Sequence, residues 1–308
     1  MTMTIFTFKR FLLLLSVFAL LILLFAGCKT LLTTSPPLPE LTGAFYVGTD
    51  SCIPCHDDVY VHYRRTVHYR LDASELHGMK KGCESCHGPG SLHVRDKGGV
   101  NNIYSFYQLT AFQSSEICLS CHQGDPVMNW QANSHLLNDV GCNACHKSHK
   151  TSGPKMVYLG DPEICFTCHQ EKRAQHLLPS HHPVSERKMK CGSCHENHGT
   201  ENNNLREATL NDVCAGCHAE YQGPFTFEHD PVVEDCSICH EPHGTITNNL
   251  LKQSQPFLCL RCHRGHRENR DAGPHPTTAA LLTSCTQCHS RVHGSDLPSQ
   301  LNRNSLTR

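Results

Sequence analysis

The stretch HDPVVEDCSICHEPHG, residues 229–244, decides how this 308-residue chain is read. Cys236 and Cys239 stand two residues apart and His240 follows at once, which is the attachment signature of a c-type haem. The chemistry explains the spacing. Two thiols add across the two vinyl groups of a porphyrin and fix the ring, and the next side chain offers an imidazole to one face of the iron. The opposite face needs another ligand, and His229 and His243 lie close by on either side.

The same pattern occurs ten times and uses 20 of the 21 cysteines. The first five copies are Cys52, Cys55 and His56; Cys83, Cys86 and His87; Cys118, Cys121 and His122; Cys142, Cys145 and His146; and Cys165, Cys168 and His169. The others are Cys191, Cys194 and His195; Cys214, Cys217 and His218; Cys236, Cys239 and His240; Cys259, Cys262 and His263; and Cys285, Cys288 and His289. Zinc knuckles do not need a histidine fused to every pair, and disulfides do not need CxxC regularity. The expected cofactor is therefore haem c, ten per chain and covalently held.

Residues 1–27 read as a signal peptide of the lipoprotein type. Lys9 and Arg10 are followed by a largely apolar run from Phe11 to Phe25 that is short for a membrane span. Cys28 is the one cysteine outside the haem motifs, and LFAGC resembles a lipobox, so Cys28 is the expected lipidation site. Phe25 departs from the usual leucine, and Lys29 carries no inner-membrane retention aspartate, which favours the outer membrane. Residues 28–48 form the lipidated cysteine and a proline-containing tether, 49–293 the haem-bearing domain, and 294–308 a polar tail.

Ten haems over 49–293 leave too few residues per haem for an ordinary core, and aromatic residues are only 7% of the chain. The porphyrins must be the core. The expected fold is a multihaem cytochrome c of mostly irregular chain with short α-helices and almost no β-structure, an extended array of five dihaem repeats. The formal net charge is −1, with no basic run and no phosphate loop, so nucleic acid and nucleotides are not expected partners.

The motifs alternate between two kinds. Odd-numbered motifs from the third on follow helix-start signals: Asp161-Pro162-Glu163-Ile164, with Asp161 as N-cap, and more weakly Ser114-Ser115-Glu116-Ile117 and Asn211-Asp212-Val213. Ile117, Ile164, Val213 and Leu258 precede a first cysteine and can pack on a porphyrin. Even-numbered motifs have one histidine upstream (His77, His135, His182, His229, His275) and one downstream (His93, His149, His198, His243, His293). Gly199, Gly244 and Gly294 follow three of these and permit a sharp turn. These ten are the expected distal ligands.

Of 25 histidines, His62, His68, His176, His181 and His266 then remain. His68 competes with His77, because Tyr63-Arg-Arg-Thr66-Val-His68 echoes Trp130-Gln-Ala-Asn-Ser134-His135, and His181 competes with His182. Tyr63 and Trp130 read as packing residues, and Gly88-Pro89-Gly90 as a chain reversal. Ligation by two histidines throughout predicts low-spin iron of lower potential than a His/Met pair.

CHQEKRAQHLLPSHHPV from Cys168, KCGSCHENHGT from Lys190, CAGCHAEYQGPF from Cys214 and EHDPVVEDCSICHEPHGT from Glu228 resemble the MtrA/DmsE-type decahaem cytochromes. The likeness runs from about Cys83 to Arg267. It implies bis-histidine haems in one extended chain, lying in the periplasm or partly inside an outer-membrane β-barrel. It also implies electron flow between a periplasmic or inner-membrane cytochrome donor and a cell-surface multihaem cytochrome or reductase. The expected lipid anchor is a departure that places this chain on the periplasmic face of the outer membrane, with a porin-like barrel as partner.

Two other functions stay open from the sequence. A multihaem reductase of a small oxyanion needs an iron with an open site, yet no CxxCK variant occurs and candidate ligands exceed irons. A lipid-tethered periplasmic electron shuttle would use the same haems without a barrel.

Overall fold

The computed structural model describes residues 36–72, 82–125, 127–149, 159–199, 204–263, 283–299 and 306. The signal segment, Cys28, His77, His266 and His275 lie outside these described residues. The chain forms two compact units, Met1–Cys55 with His77–Ser120, and His56–Leu76 with Cys121–Arg308.

Irregular chain and short helices make up both units, as the dense cysteine spacing predicts. The longest helix among the described residues is Ala111–Leu119. There is no sheet among them, only isolated bridges such as His195 with Leu205 and His240 with Leu251. Buried apolar residues among those described are Ala111, Ile117, Trp130, Leu136 and Val184, too few for a core made of protein alone.

Eight of the ten attachment motifs close as one helical turn. The backbone N–H of the motif histidine donates to the carbonyl of the first cysteine at His87, His146, His169, His195, His218, His240, His263 and His289, at 2.8–3.0 Å. This i→i−4 closure brings both cysteines and the histidine to one side of a short turn. After two even-numbered motifs the chain loops out and returns in the same way. Glu196 N–H donates to Asn204 O and Glu241 N–H to Leu250 O, while Arg206 and Lys252 donate back to Cys194 O and Cys239 O.

The helix starts differ from the sequence reading, and the reason is tertiary. Asp161 does not cap its own helix. Pro162 occupies the N-cap position of Glu163–Phe166, without a side-chain cap. The Asp161 carboxylate instead accepts from the N–H groups of Cys191 and Gly192, at 2.8 and 2.9 Å. Asn211 behaves alike: its Oδ1 accepts from Cys236 N–H at 2.8 Å, while Thr209 caps the helix Leu210–Ala215. The helix expected at Ser114 begins at Ala111, capped by a Thr110–Gln113 box. Thr49 Oγ1 accepts from Cys83 N–H, and Gln255 Oε1 from Thr286 N–H beside Cys285. A polar side chain three or four residues before an odd-numbered motif thus latches the start of the next even-numbered one, four times over.

In the first unit, Glu84 is buried at 5% exposure and accepts from the N–H groups of Val47, Gly48 and Gly90. These bonds, with Gln113 Nε2 donating to Pro37 O, fasten the end of the tether to the unit. Gly88, at φ 73°, ends the short helix Glu84–His87.

In the second unit, the glycines after the downstream histidines allow close approach. A Cβ on Gly244, at φ 153°, would fall 2.0 Å from the Gln175 carbonyl oxygen. Gly244→Ala should therefore lower stability by roughly 2 kcal/mol or more. A denaturant titration of the haem-loaded protein, followed at the Soret band, measures this. Beyond His293, Ser295 is buried and pairs with Phe227.

Candidate haem-ligation sites

Seven described motif histidines each meet a histidine from elsewhere in the chain, and His176 also meets His243 at 5.8 Å without a motif histidine. Ring centres lie 6.1 Å apart in His68–His122, 6.2 Å in His135–His169, 6.4 Å in His182–His218 and 5.9 Å in His229–His263. They lie 6.0 Å apart in His146–His198 and 6.1 Å in both His195–His243 and His240–His293. Two imidazoles on opposite faces of one metal, with metal–nitrogen bonds of about 2 Å and ring centres about 1 Å beyond each nitrogen, sit about 6 Å apart. The observed separations fit that arrangement.

The histidines flanking a motif do not face its own histidine. His229 and His243 surround His240 in sequence, yet His229 meets His263 and His243 meets His195. The same pattern recurs in six pairs of the second unit. In the described pairs an upstream histidine faces the histidine of the next motif along the chain, and a downstream histidine faces that of the even-numbered motif before. Consecutive repeats therefore interlock.

The geometry bears on the two competitions unequally. His182 faces His218, whereas both ring nitrogens of His181 are engaged, Nδ1 with Leu178 O and Nε2 with Glu186 at 2.9 Å. His68 faces His122, and its rival His77 is outside the described residues. Tyr63 lies edge-on to His149 at 6.5 Å and Trp130 to His198 at 6.2 Å, which is a packing role. His62 is exposed on the helix Asp57–Tyr63.

Several rings are oriented by their second nitrogen. Nδ1 of His182 bonds Pro242 O at 2.8 Å, that of His229 Val292 O at 2.8 Å, and that of His240 Asn249 O at 2.8 Å. In the first unit His87 Nδ1 bonds Tyr104 O and His93 Nδ1 bonds Gly99 O. A carbonyl can only accept, so Nδ1 carries the proton and Nε2 is left with a lone pair for a metal. Burial, and then the ring of His243, push His195 below its ordinary pKa, and burial does the same for His293. Both rings are thereby favoured in the neutral form that ligates.

The sulfurs place neighbouring motifs side by side. The thiols of Cys165 and Cys191 hydrogen-bond, as do Cys52 and Cys83. Burial and then the Cys236 thiol push Cys214 up to about 12, and burial and then Cys285 push Cys259 up to about 11. Second cysteines make the alternate contacts: burial first, then Cys217 raises Cys194, and burial, then Cys262 raises Cys239. These sulfurs stand where thioether sulfurs sit once haem is attached, so what carries over is their proximity. Asp161, Cys165 and Cys191 cluster within 4.8 Å, the junction of two attachment turns rather than a separate metal centre.

A porphyrin fits these residues on three observations. The histidine pairs have the spacing of axial ligands, the apolar core is sparse, and His176 keeps a buried Nδ1 with no hydrogen-bond partner in the protein. His176 sits between Phe166 and His243. Thr49, Gln255 and the carboxylates Glu196 and Glu241 were not singled out in the sequence, and Asp161 and Asn211 were read as helix starts rather than as latches. The repeated wording CHENHG and CHEPHG is the signal that marks the two glutamates.

Comparison with known proteins places the chain among multihaem c-type cytochromes. A doubled CXXCH motif family matches residues 135–174, 181–223 and 229–268, and a family described as cytochrome c554 and c-prime matches 92–147. The multiheme cytochrome MtrA of Shewanella baltica (strain OS185) is 35% identical over 269 residues, covering 82% of this chain and 80% of that protein.

Proposed function

Because this chain belongs to the MtrA family of multihaem c-type cytochromes, and so binds haem c, we propose that it carries ten haems and relays electrons along them between the periplasm and the cell exterior. Bound haem iron supplies a one-electron ferric/ferrous couple. The chain's part is to hold the irons in succession and to close both faces of each.

The observation that carries this reading is the set of histidine pairs at 5.9–6.4 Å, each joining different repeats. His68, His135, His182 and His229 are the distal ligands opposite His122, His169, His218 and His263. His198, His243 and His293 are those opposite His146, His195 and His240. For His56, His87 and His289 the distal ligand comes from among His77, His93, His149 and His275. The sulfur contacts support an order of haems in the second unit that follows the order of motifs, so an electron passes from each haem to its sequence neighbour. Two imidazoles per iron leave no open coordination site, which favours a carrier over a reductase.

Cys28, acylated after removal of residues 1–27, anchors the protein at the periplasmic face of the outer membrane. No helix among the described residues is long and apolar enough to cross a membrane, and the proposed route across it lies in a partner. A β-barrel porin with a cell-surface multihaem cytochrome supplies that route, and a periplasmic or inner-membrane cytochrome supplies the electrons.

Gentle detergent extraction of outer membranes, capture of this cytochrome and mass spectrometry of its companions test the conduit. A stoichiometric β-barrel protein is the expected result. Recovery of the cytochrome alone, or with a soluble periplasmic reductase only, overturns the barrel and leaves a tethered shuttle.

A further inference from the structure

The second nitrogen of the distal histidines does not meet the same partner throughout. For His182 and His229 it meets a backbone carbonyl. For His243 it meets a carboxylate, Glu241 Oε1, at 3.0 Å, and for His198 the equivalent Glu196 Oε1 at 3.7 Å. In both cases the glutamate stands two residues before the ligand. Two residues before His293 the chain has Arg291 instead, whose Nη1 donates to Ser295 Oγ at 2.7 Å. Two residues before these three histidines the chain thus places a close carboxylate, a more distant carboxylate and an arginine whose guanidinium is held by Ser295.

We propose that the residue two positions before His198, His243 and His293 sets the reduction potential of the haem that each of these histidines closes, and that Glu241 makes the His195/His243 haem the lowest of the three. The inference rests on the ligand assignments proposed above. A carboxylate accepting the Nδ1 proton polarises that N–H bond, makes the imidazole a stronger donor and favours ferric iron. A neutral acceptor does so less, and a cation works the other way. The hydrogen bond weakens steeply with distance, so Glu196 acts more weakly than Glu241. The predicted order of potential is His195/His243 below His146/His198 below His240/His293. Electrons moving along the row would therefore cross a low-potential step in the middle of the second unit, and the step is written in side chains rather than in the ligands themselves.

The test is spectroelectrochemical titration of the holoprotein, with EPR of the oxidised form, for Glu241→Gln, Glu196→Gln and Arg291→Gln. Glutamine keeps an acceptor oxygen and removes the charge. In Glu241→Gln the most negative component should shift positive, with about tenfold higher electron occupancy at fixed potential, about 59 mV for a one-electron couple. Its low-spin EPR g values should move without loss of low-spin intensity. Glu196→Gln should shift in the same direction by less, and Arg291→Gln in the opposite direction. Unchanged potentials in Glu241→Gln, or shifts of one sign in all three variants, overturn the proposal. Should Glu241→Gln fail to load haem, the opposite signs expected of Glu196→Gln and Arg291→Gln decide it. A high-spin ferric signal in the unaltered protein would instead overturn the ligand assignments beneath it.

Discussion

Without haem, this chain should not hold its fold. Exported to a compartment where haem attachment is blocked, it is expected to be largely unfolded by circular dichroism and to be digested at protease levels that leave the loaded protein intact. Fixing each residue costs about 1–2 kcal/mol in backbone entropy. Burying a large apolar side chain returns roughly 1.5–3 kcal/mol. Five buried apolar residues among those described cannot offset the ordering of chain this long. Short helices do not help, because a four-residue turn such as Cys142–Cys145 is not stable alone. The missing term is supplied by the porphyrins, through covalent attachment, apolar contact and ligation that ties repeat to repeat. A compact, protease-resistant haem-free chain would show that the polypeptide carries its own core.

His182→Ala should open one iron, while His181→Ala should leave every iron closed. The two residues are adjacent in sequence and alike in chemistry, so the contrast isolates ligation. In the first variant about one haem per chain converts from low-spin to high-spin ferric iron and its potential rises. The effect should reach a second haem, because His182 Nδ1 bonds Pro242 O, next to His243, which faces His195. In the second variant only an exposed pair with Glu186 and a bond to Leu178 are lost. A stability change within about 1 kcal/mol and an unaltered EPR spectrum are expected. High-spin iron in His181→Ala would exchange the two roles.

What the sequence makes legible here follows from what is local. Two cysteines and a histidine in one turn define an attachment site within five residues, so Cys236, Cys239 and His240 can be read without a fold. The existence of a distal ligand near each pair is also local, since His229 and His243 flank that motif. Which iron each one serves is not, because it depends on how repeats stack. His243 lies three residues from His240 but faces His195, 48 residues upstream. The latches fail for a related reason. Asp161 and Asn211 carry oxygens that suit a helix N-cap and suit equally a backbone N–H from another segment. Thr209 and the Asp161–Cys191 contact show that the second use won. Glu241 was invisible as a tuning residue because its partner nitrogen belongs to a histidine whose own iron lies in another repeat.

The most direct test of the account is quantitative EPR of the fully oxidised protein, set against its iron and haem content. The account predicts ten haem irons per chain, all low-spin. Two populations should appear, one from near-parallel ring pairs such as His195–His243 at 6° and one from crossed pairs such as His68–His122 at 80°. A stoichiometric high-spin ferric signal would contradict it, because an iron open on one face belongs to a reductase rather than to a row of closed electron carriers.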